Sequence, residues 1–175
     1  MKRQKHPHFD RTGWPLPDEY LLELGRVAAL WADLDGYLDL SIGKLAGFAS
    51  LGDPRPFILI RHSSFPQKLD ILSALCESLL SKFNNLRIHK EVVSQLKTAQ
   101  QSRNRFLHNG MSFNKETGQI QIAVGSARGK VKTSVEVVSV ADIETASNEI
   151  HEALRSLHLL LTGKRIPPIW ERKGA

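Results

Sequence analysis

The chain has 175 residues, enough for one domain with a sizeable core, and its 41% hydrophobic and 24% charged content is ordinary for a soluble globular protein. No apolar run approaches the roughly 20 residues of a membrane span, and no apolar signal core follows the basic N-terminus. A single cysteine excludes an intramolecular disulfide, so a cytoplasmic protein is expected.

The net charge of +6 is concentrated at the two ends. Lys2, Arg3, Lys5 and Arg11 against Asp10 leave +3, and Lys164, Arg165, Arg172 and Lys173 against Glu171 leave another +3, so the body is neutral. That distribution points to basic tails, serving solubility or weak phosphate contact, rather than to a basic face. The expected organisation is an irregular arm over 1–17, one domain over 18–163 and a tail over 164–175.

Pro7, Gly13, Pro15 and Pro17 keep the arm irregular. Asp18 is the expected N-cap of a long first helix with an inner stripe of Leu24, Val27, Trp31, Leu34, Leu38, Ile42 and Leu45. Asp33, Asp35 and Asp39 interrupt it with acid. Asp35 and Asp39 share a face and are candidates to pair with an arginine from elsewhere. Gly52-Asp53-Pro54-Arg55-Pro56 reads as the end of that helix and the start of a loop. Ser64-Phe65-Pro66-Gln67 has the form of a capping box, opening a second helix with Phe65, Leu69, Leu72, Cys76, Leu79 and Phe83 inward. Cys76 on that face reads as packing, not as a nucleophile. Asn84-Asn85 breaks the helix.

The third helix starts near Ile88 and buries Val92, Leu96 and Ala99. Its next inner position falls to Arg103 where an apolar residue is expected, and a buried guanidinium needs a partner or a ligand. Asn109-Gly110 is expected to stop the helix through the left-handed conformation both residues tolerate. Met111–Phe113, Gln119–Val124 and Val131–Val140 then read as a two- or three-stranded meander. Ser139 to Asp142 caps a final helix with Ile143, Ala146, Ile150, Leu154, Leu157 and Leu161 inward, ended by Gly163. Four amphipathic helices must bury their stripes on one another, so the expected fold is mainly α: a four-helix bundle with a small β insertion over about 111–139.

Arg103-Asn104-Arg105-Phe106-Leu107-His108 resembles the Arg-x4-6-His motif of the HEPN superfamily. Its setting is similar too, with two long helices before it, the motif at the end of the third, and a final helix after it. Relatives commonly have glycine directly after the histidine, whereas Asn109 stands here. The resemblance implies a bundle that is commonly dimeric and often a metal-independent endoribonuclease, with no cofactor. Many such proteins are toxins or defence proteins, whose partner is an antitoxin; others are inactive modules that bind RNA or a protein.

The residue types suit RNA cleavage. Histidine titrates near neutrality and serves as base or acid, and arginine holds a phosphate through its fork. The expected catalytic residues are therefore Arg103, Asn104 and His108, with Arg105 and Asn109 as substrate contacts and no metal ligand. On an ideal helix Arg103 and His108 point about 140° apart, which favours a site shared by two copies across a two-fold axis. The competing expectation is a structural one: Arg103 pairs with Asp35 or Asp39 and His108 caps a helix.

Two other motifs carry less. Gly125-Ser126-Ala127-Arg128-Gly129 superficially resembles the Gly-Ser loop of minimal nucleotidyltransferases, but strand residues follow it and no strand-borne carboxylate pair accompanies it, so a hairpin turn is expected. His151 and His158 lack further ligands at metal spacing and are expected to flank the core, while His6 and His8 lie in the arm.

Overall fold

The computed structural model describes residues 14–48, 53–126 and 132–172. Five α-helices and a three-stranded antiparallel sheet follow one another: α1 (Asp18–Leu45), α2 (Arg55–Ile60), α3 (Phe65–Leu79), α4 (His89–Leu107), β1 (Met111–Asn114), β2 (Gln119–Ser126), β3 (Lys132–Val137) and α5 (Val140–Thr162). The chain is thus mainly helical with a small sheet between its last two long helices, as the residue periodicity predicts. Among the described residues, no helix is long and apolar enough to cross a membrane.

The four long helices share one core. α1 lies along α5, α5 also packs on α4, and α3 closes against α1 and α4. Val27, Leu34, Leu38 and Ile42 from α1 meet Leu69, Leu72 and Cys76 from α3, Val92, Leu96 and Ala99 from α4, and Ile143, Ile150 and Leu157 from α5. Each large apolar side chain removed from water there contributes roughly 1.5–3 kcal/mol. Burial pushes the Cys76 thiol up to about 11, which suits packing and not nucleophilic chemistry.

Helix ends explain most departures from the sequence reading. Pro17, not Asp18, is the N-cap of α1, and Asp18 contributes charge in the first turn. α1 stops at Leu45, and Gly47 takes φ +89°, so the turn comes earlier than Gly52-Asp53-Pro54 suggests. Residues 55–60, expected as loop, form α2, which approaches α1 so closely that a Cβ on Gly43 would sit 2.8 Å from the Pro56 ring. The box at α3 forms, with the Ser64 N–H donating to Gln67 Oε1 at 2.8 Å. Because α3 ends at Leu79, Phe83 falls off its stripe and is half-exposed. Asn84–Ile88 is a 3-10 turn leading into α4. At α5 the Ser139 N–H donates to Asp142 Oδ2 at 2.8 Å, and Gly163 closes the C-terminus at φ +67°.

The sheet is a meander with order β1-β2-β3. Ile122 pairs with Met111 on one side and Glu136 on the other, and Ile120 and Ile122 are buried. Alternation turns Val135 and Val137 to the opposite face, where they are exposed. The residues after α5 do not leave as a free tail. Ile169–Glu171 forms a 3-10 turn, and the Ile169 N–H donates to His151 Nε2 at 3.1 Å. The arm over 1–13 and residues 173–175 lie outside the described residues.

Candidate functional site

α4 buries Val92, Leu96, Ala99 and Phe106, and Arg103 occupies the stripe position between Ala99 and Phe106. The side chain solves that conflict by remaining half-buried. Its guanidinium carbon lies 5.3 Å from the Trp31 ring centroid, on the cation-attracting face of the indole. Trp31 is braced in turn by Phe65, with ring centroids 4.6 Å apart. Arg103 Nη1 donates to Asn104 Oδ1 at 3.0 Å and also meets His108 Nε2. A guanidinium has no acceptor, so Nε2 accepts and the imidazole proton sits on Nδ1. Arg103 Nε is buried without a hydrogen-bond partner, and no carboxylate among the described residues forms an ion pair with Arg103.

This geometry corrects the 140° divergence. His108 is the C-cap residue of α4, at φ −111° and ψ −11°, so it has left the ideal helical path, while its N–H still donates to Asn104 O at 3.2 Å. The long arginine side chain crosses the remaining distance, and Arg103, Asn104 and His108 meet within one chain.

The competing expectation for Arg103 is overturned as well. Asp35 and Asp39 are taken by Lys68 of α3, whose Nζ lies 2.8 Å from Asp35 and 2.7 Å from Asp39, with Arg61 3.6 Å from Asp39. Nor does Asn109-Gly110 stop α4 by a left-handed residue, since neither takes positive φ. Instead the Asn109 side-chain amide donates to Arg105 O at 2.9 Å, capping the free carbonyls of the last turn.

Arg105 points to the sheet and pairs with Glu136 of β3 at 2.9 Å, both side chains being well exposed. Gln101, Asn104, Arg105, His108, Asn109 and Glu136 line an open depression of about 490 Å³ between the end of α4 and the sheet. All five expected site residues are therefore at one helix end: Arg103, Asn104 and His108 bond to one another, and Arg105 and Asn109 face the same depression.

Two participants escape the sequence reading. Trp31 reads only as an apolar stripe residue, and nothing local marks it as the platform for a guanidinium far along the chain. Glu136 is hidden in a valine-rich strand; the alternation that turns Val135 and Val137 outward is the available signal, because it turns Glu136 toward α4.

The other motifs do not assemble a site. Gly125 and Ser126 end β2, and Ala127, Arg128 and Gly129 lie outside the described residues, as do His6 and His8. Among the described residues no cluster of three or more His, Cys, Asp or Glu is placed to hold a metal ion. His158 Nδ1 is 2.9 Å from the Tyr37 hydroxyl and His151 is buried in α5, both at the edge of the core. No family model, curated protein or solved structure matches the chain.

Proposed function

We propose that this chain is a HEPN-like, metal-independent endoribonuclease, acting as a homodimer in the manner of a toxin or defence protein. The observation that carries the reading is the state of Arg103: a cation on a half-buried helix face, hydrogen-bonded only to neutral acceptors and touching His108 beside an open depression. A guanidinium without a carboxylate is ready for an anion, and its fork matches a phosphodiester.

The chemistry follows from the contacts. A phosphodiester that takes the Arg103 donors releases His108 Nε2 from the guanidinium. The freed nitrogen accepts the ribose 2′-hydroxyl proton as the 2′-oxygen attacks phosphorus. The P–O5′ bond breaks, the 5′-oxygen takes a proton, and the products are a 2′,3′-cyclic phosphate and a 5′-hydroxyl. Arg103 stabilises the charge gathering on the phosphoryl oxygens, and Asn104 holds the guanidinium. One chain supplies one histidine here, so the second proton transfer is assigned to His108 of a second copy. That assignment rests on the family resemblance, since the divergence of Arg103 and His108 no longer argues for it.

The test is RNA incubated with purified protein in chelator, with product ends mapped. Cleavage to cyclic phosphate ends, lost in His108→Ala and Arg103→Ala, is expected. Intact RNA with wild type, or undiminished cleavage by His108→Ala, overturns the reading. A specific observation favours the second reading, a non-catalytic module that binds a protein partner: Phe57, Ile58 and Leu59 of α2 are successive exposed apolar residues. Intact RNA together with unchanged partner capture by His108→Ala decides for that alternative.

A further inference from the structure

The residues that follow α5 fold back over the groove between α1 and α5, and their attachment is centred on a buried histidine. His151 is 2% exposed. Its Nε2 accepts the Ile169 N–H at 3.1 Å, and its ring lies against the Trp170 ring with centroids 4.7 Å apart. Since Nε2 accepts, Nδ1 carries the proton; it is buried without a hydrogen-bond partner, 3.8 Å from Glu152. Upstream, the chain is held independently of the histidine, because Arg155 Nε donates to Ile166 O at 3.1 Å. Pro167 and Pro168 lie between the two attachments, and Arg172 Nε donates back to Pro167 O at 3.2 Å, so Ile169–Arg172 is a compact turn beyond a fixed base.

Among the described residues, the lining of this groove comes from α1, α5 and the segment over 166–172. Cavities of about 570 and 560 Å³ flank the turn, and both are bounded by Leu30, Asp33, His151 and Ile169. Trp170 itself is 66% exposed, so its burial contributes little and the backbone hydrogen bond to His151 is the main attachment. We propose that Ile169–Arg172 is a pH-released strap over the α1–α5 groove, docked while the His151 imidazole is neutral and freed when Nε2 takes up a proton. Protonation turns the acceptor into a donor facing the Ile169 N–H, and neither group has another partner in place.

The surrounding charges fix the sign. On α5, Glu152 favours the protonated ring while Arg155 opposes it, and Arg172 on the strap opposes it too; burial opposes it most, and His151 lies below its ordinary 6.5. His158 is also lowered, by burial first and then by Arg172 and Lys44. From α1 the groove receives Asp33 and the mutually paired Glu23 and Arg26, and from α5 also Glu144. Docking strength is therefore full above pH 6.5 and is lost as the pH falls below that value and through the docked one.

The experiment uses the full chain labelled with 5-fluorotryptophan, with the Trp170 resonance assigned by Trp170→Phe and Trp31 as the internal control of core integrity. In wild type the Trp170 signal is expected to move to its solvent-exposed position between pH 8 and pH 5, with a midpoint below 6.5, while Trp31 stays. Ile169→Pro, which removes the donated N–H at an exposed position, places Trp170 at the exposed position at every pH. His151→Gln, whose amide oxygen can accept the same N–H, keeps Trp170 docked at every pH. A Trp170 signal unchanged over this range in wild type, or a docked signal in Ile169→Pro, overturns the proposal. This outcome does not depend on RNA cleavage.

Discussion

Lys68 and Arg103 are both cations set on inward helix stripes, and the molecule treats them in opposite ways. Lys68 is 3% exposed and lies between Asp35 and Asp39, themselves on the facing helix. Arg103 receives an indole face, an amide oxygen and an imidazole nitrogen, all neutral. The first arrangement neutralises charge inside the core, at the cost of desolvating Lys68 and Asp39, while Asp35 stays 32% exposed at its edge. The second leaves a whole positive charge at the rim of an open depression. A charge that serves only the fold is matched by carboxylates; a charge left with neutral partners is available to an anionic ligand.

That contrast can be broken most forcefully at Lys68. Lys68→Ala leaves Asp39, 1% exposed, as a buried carboxylate with only Arg61 at 3.6 Å, and urea unfolding should show a loss of about 3–5 kcal/mol. Replacing the group as a unit sharpens the point. Lys68→Met with Asp39→Leu should recover most of that loss, because apolar residues of similar volume substitute well for a buried ion pair. Should the double variant be as unstable as the single one, the cluster has a role beyond neutralisation.

Smaller effects belong to the other cation. Trp31→Leu removes the platform under Arg103 as well as its packing on Phe65; comparison with Trp31→Leu/Arg103→Met should assign about 0.5–1 kcal/mol to the indole–guanidinium pair. Smallest is the exposed pair of Arg105 with Glu136, for which a double-mutant cycle with glutamines should return no more than about 1 kcal/mol, falling with added salt. A coupling well above that value would make the sheet a structural partner of α4 rather than one wall of the depression.

Much of this architecture was legible because it depends on periodicity. The stripes on α1, α3, α4 and α5 are three- and four-residue patterns that packing merely completes, and Ser64 with Gln67, Ser139 with Asp142 and Gly163 mark helix ends through local backbone chemistry. What was not legible depends on distant partners. Lys68 sits one residue before a core leucine and carries no sign that Asp35 and Asp39 face it. The meeting of Arg103 with His108 depends on where α4 stops, which an ideal-helix angle cannot supply. Gly52-Asp53-Pro54-Arg55-Pro56 reads as the start of a loop, although a proline is tolerated in a first helical turn, where Pro56 lies. Residues 164–175 read as a basic tail from Lys164, Arg165, Arg172 and Lys173, and the attachment to His151 is a backbone N–H, which no residue type advertises.

RNA cleavage by Arg103→Met, measured in chelator beside urea unfolding of the same protein, tests the role of Arg103 most directly. The expected result is cleavage reduced by about 10²-fold or more with stability within about 1 kcal/mol of wild type, since no carboxylate is left unpaired when the guanidinium is removed. Cleavage at the wild-type rate, or an unfolding loss as large as that of Lys68→Ala, would contradict the assignment of Arg103 to function.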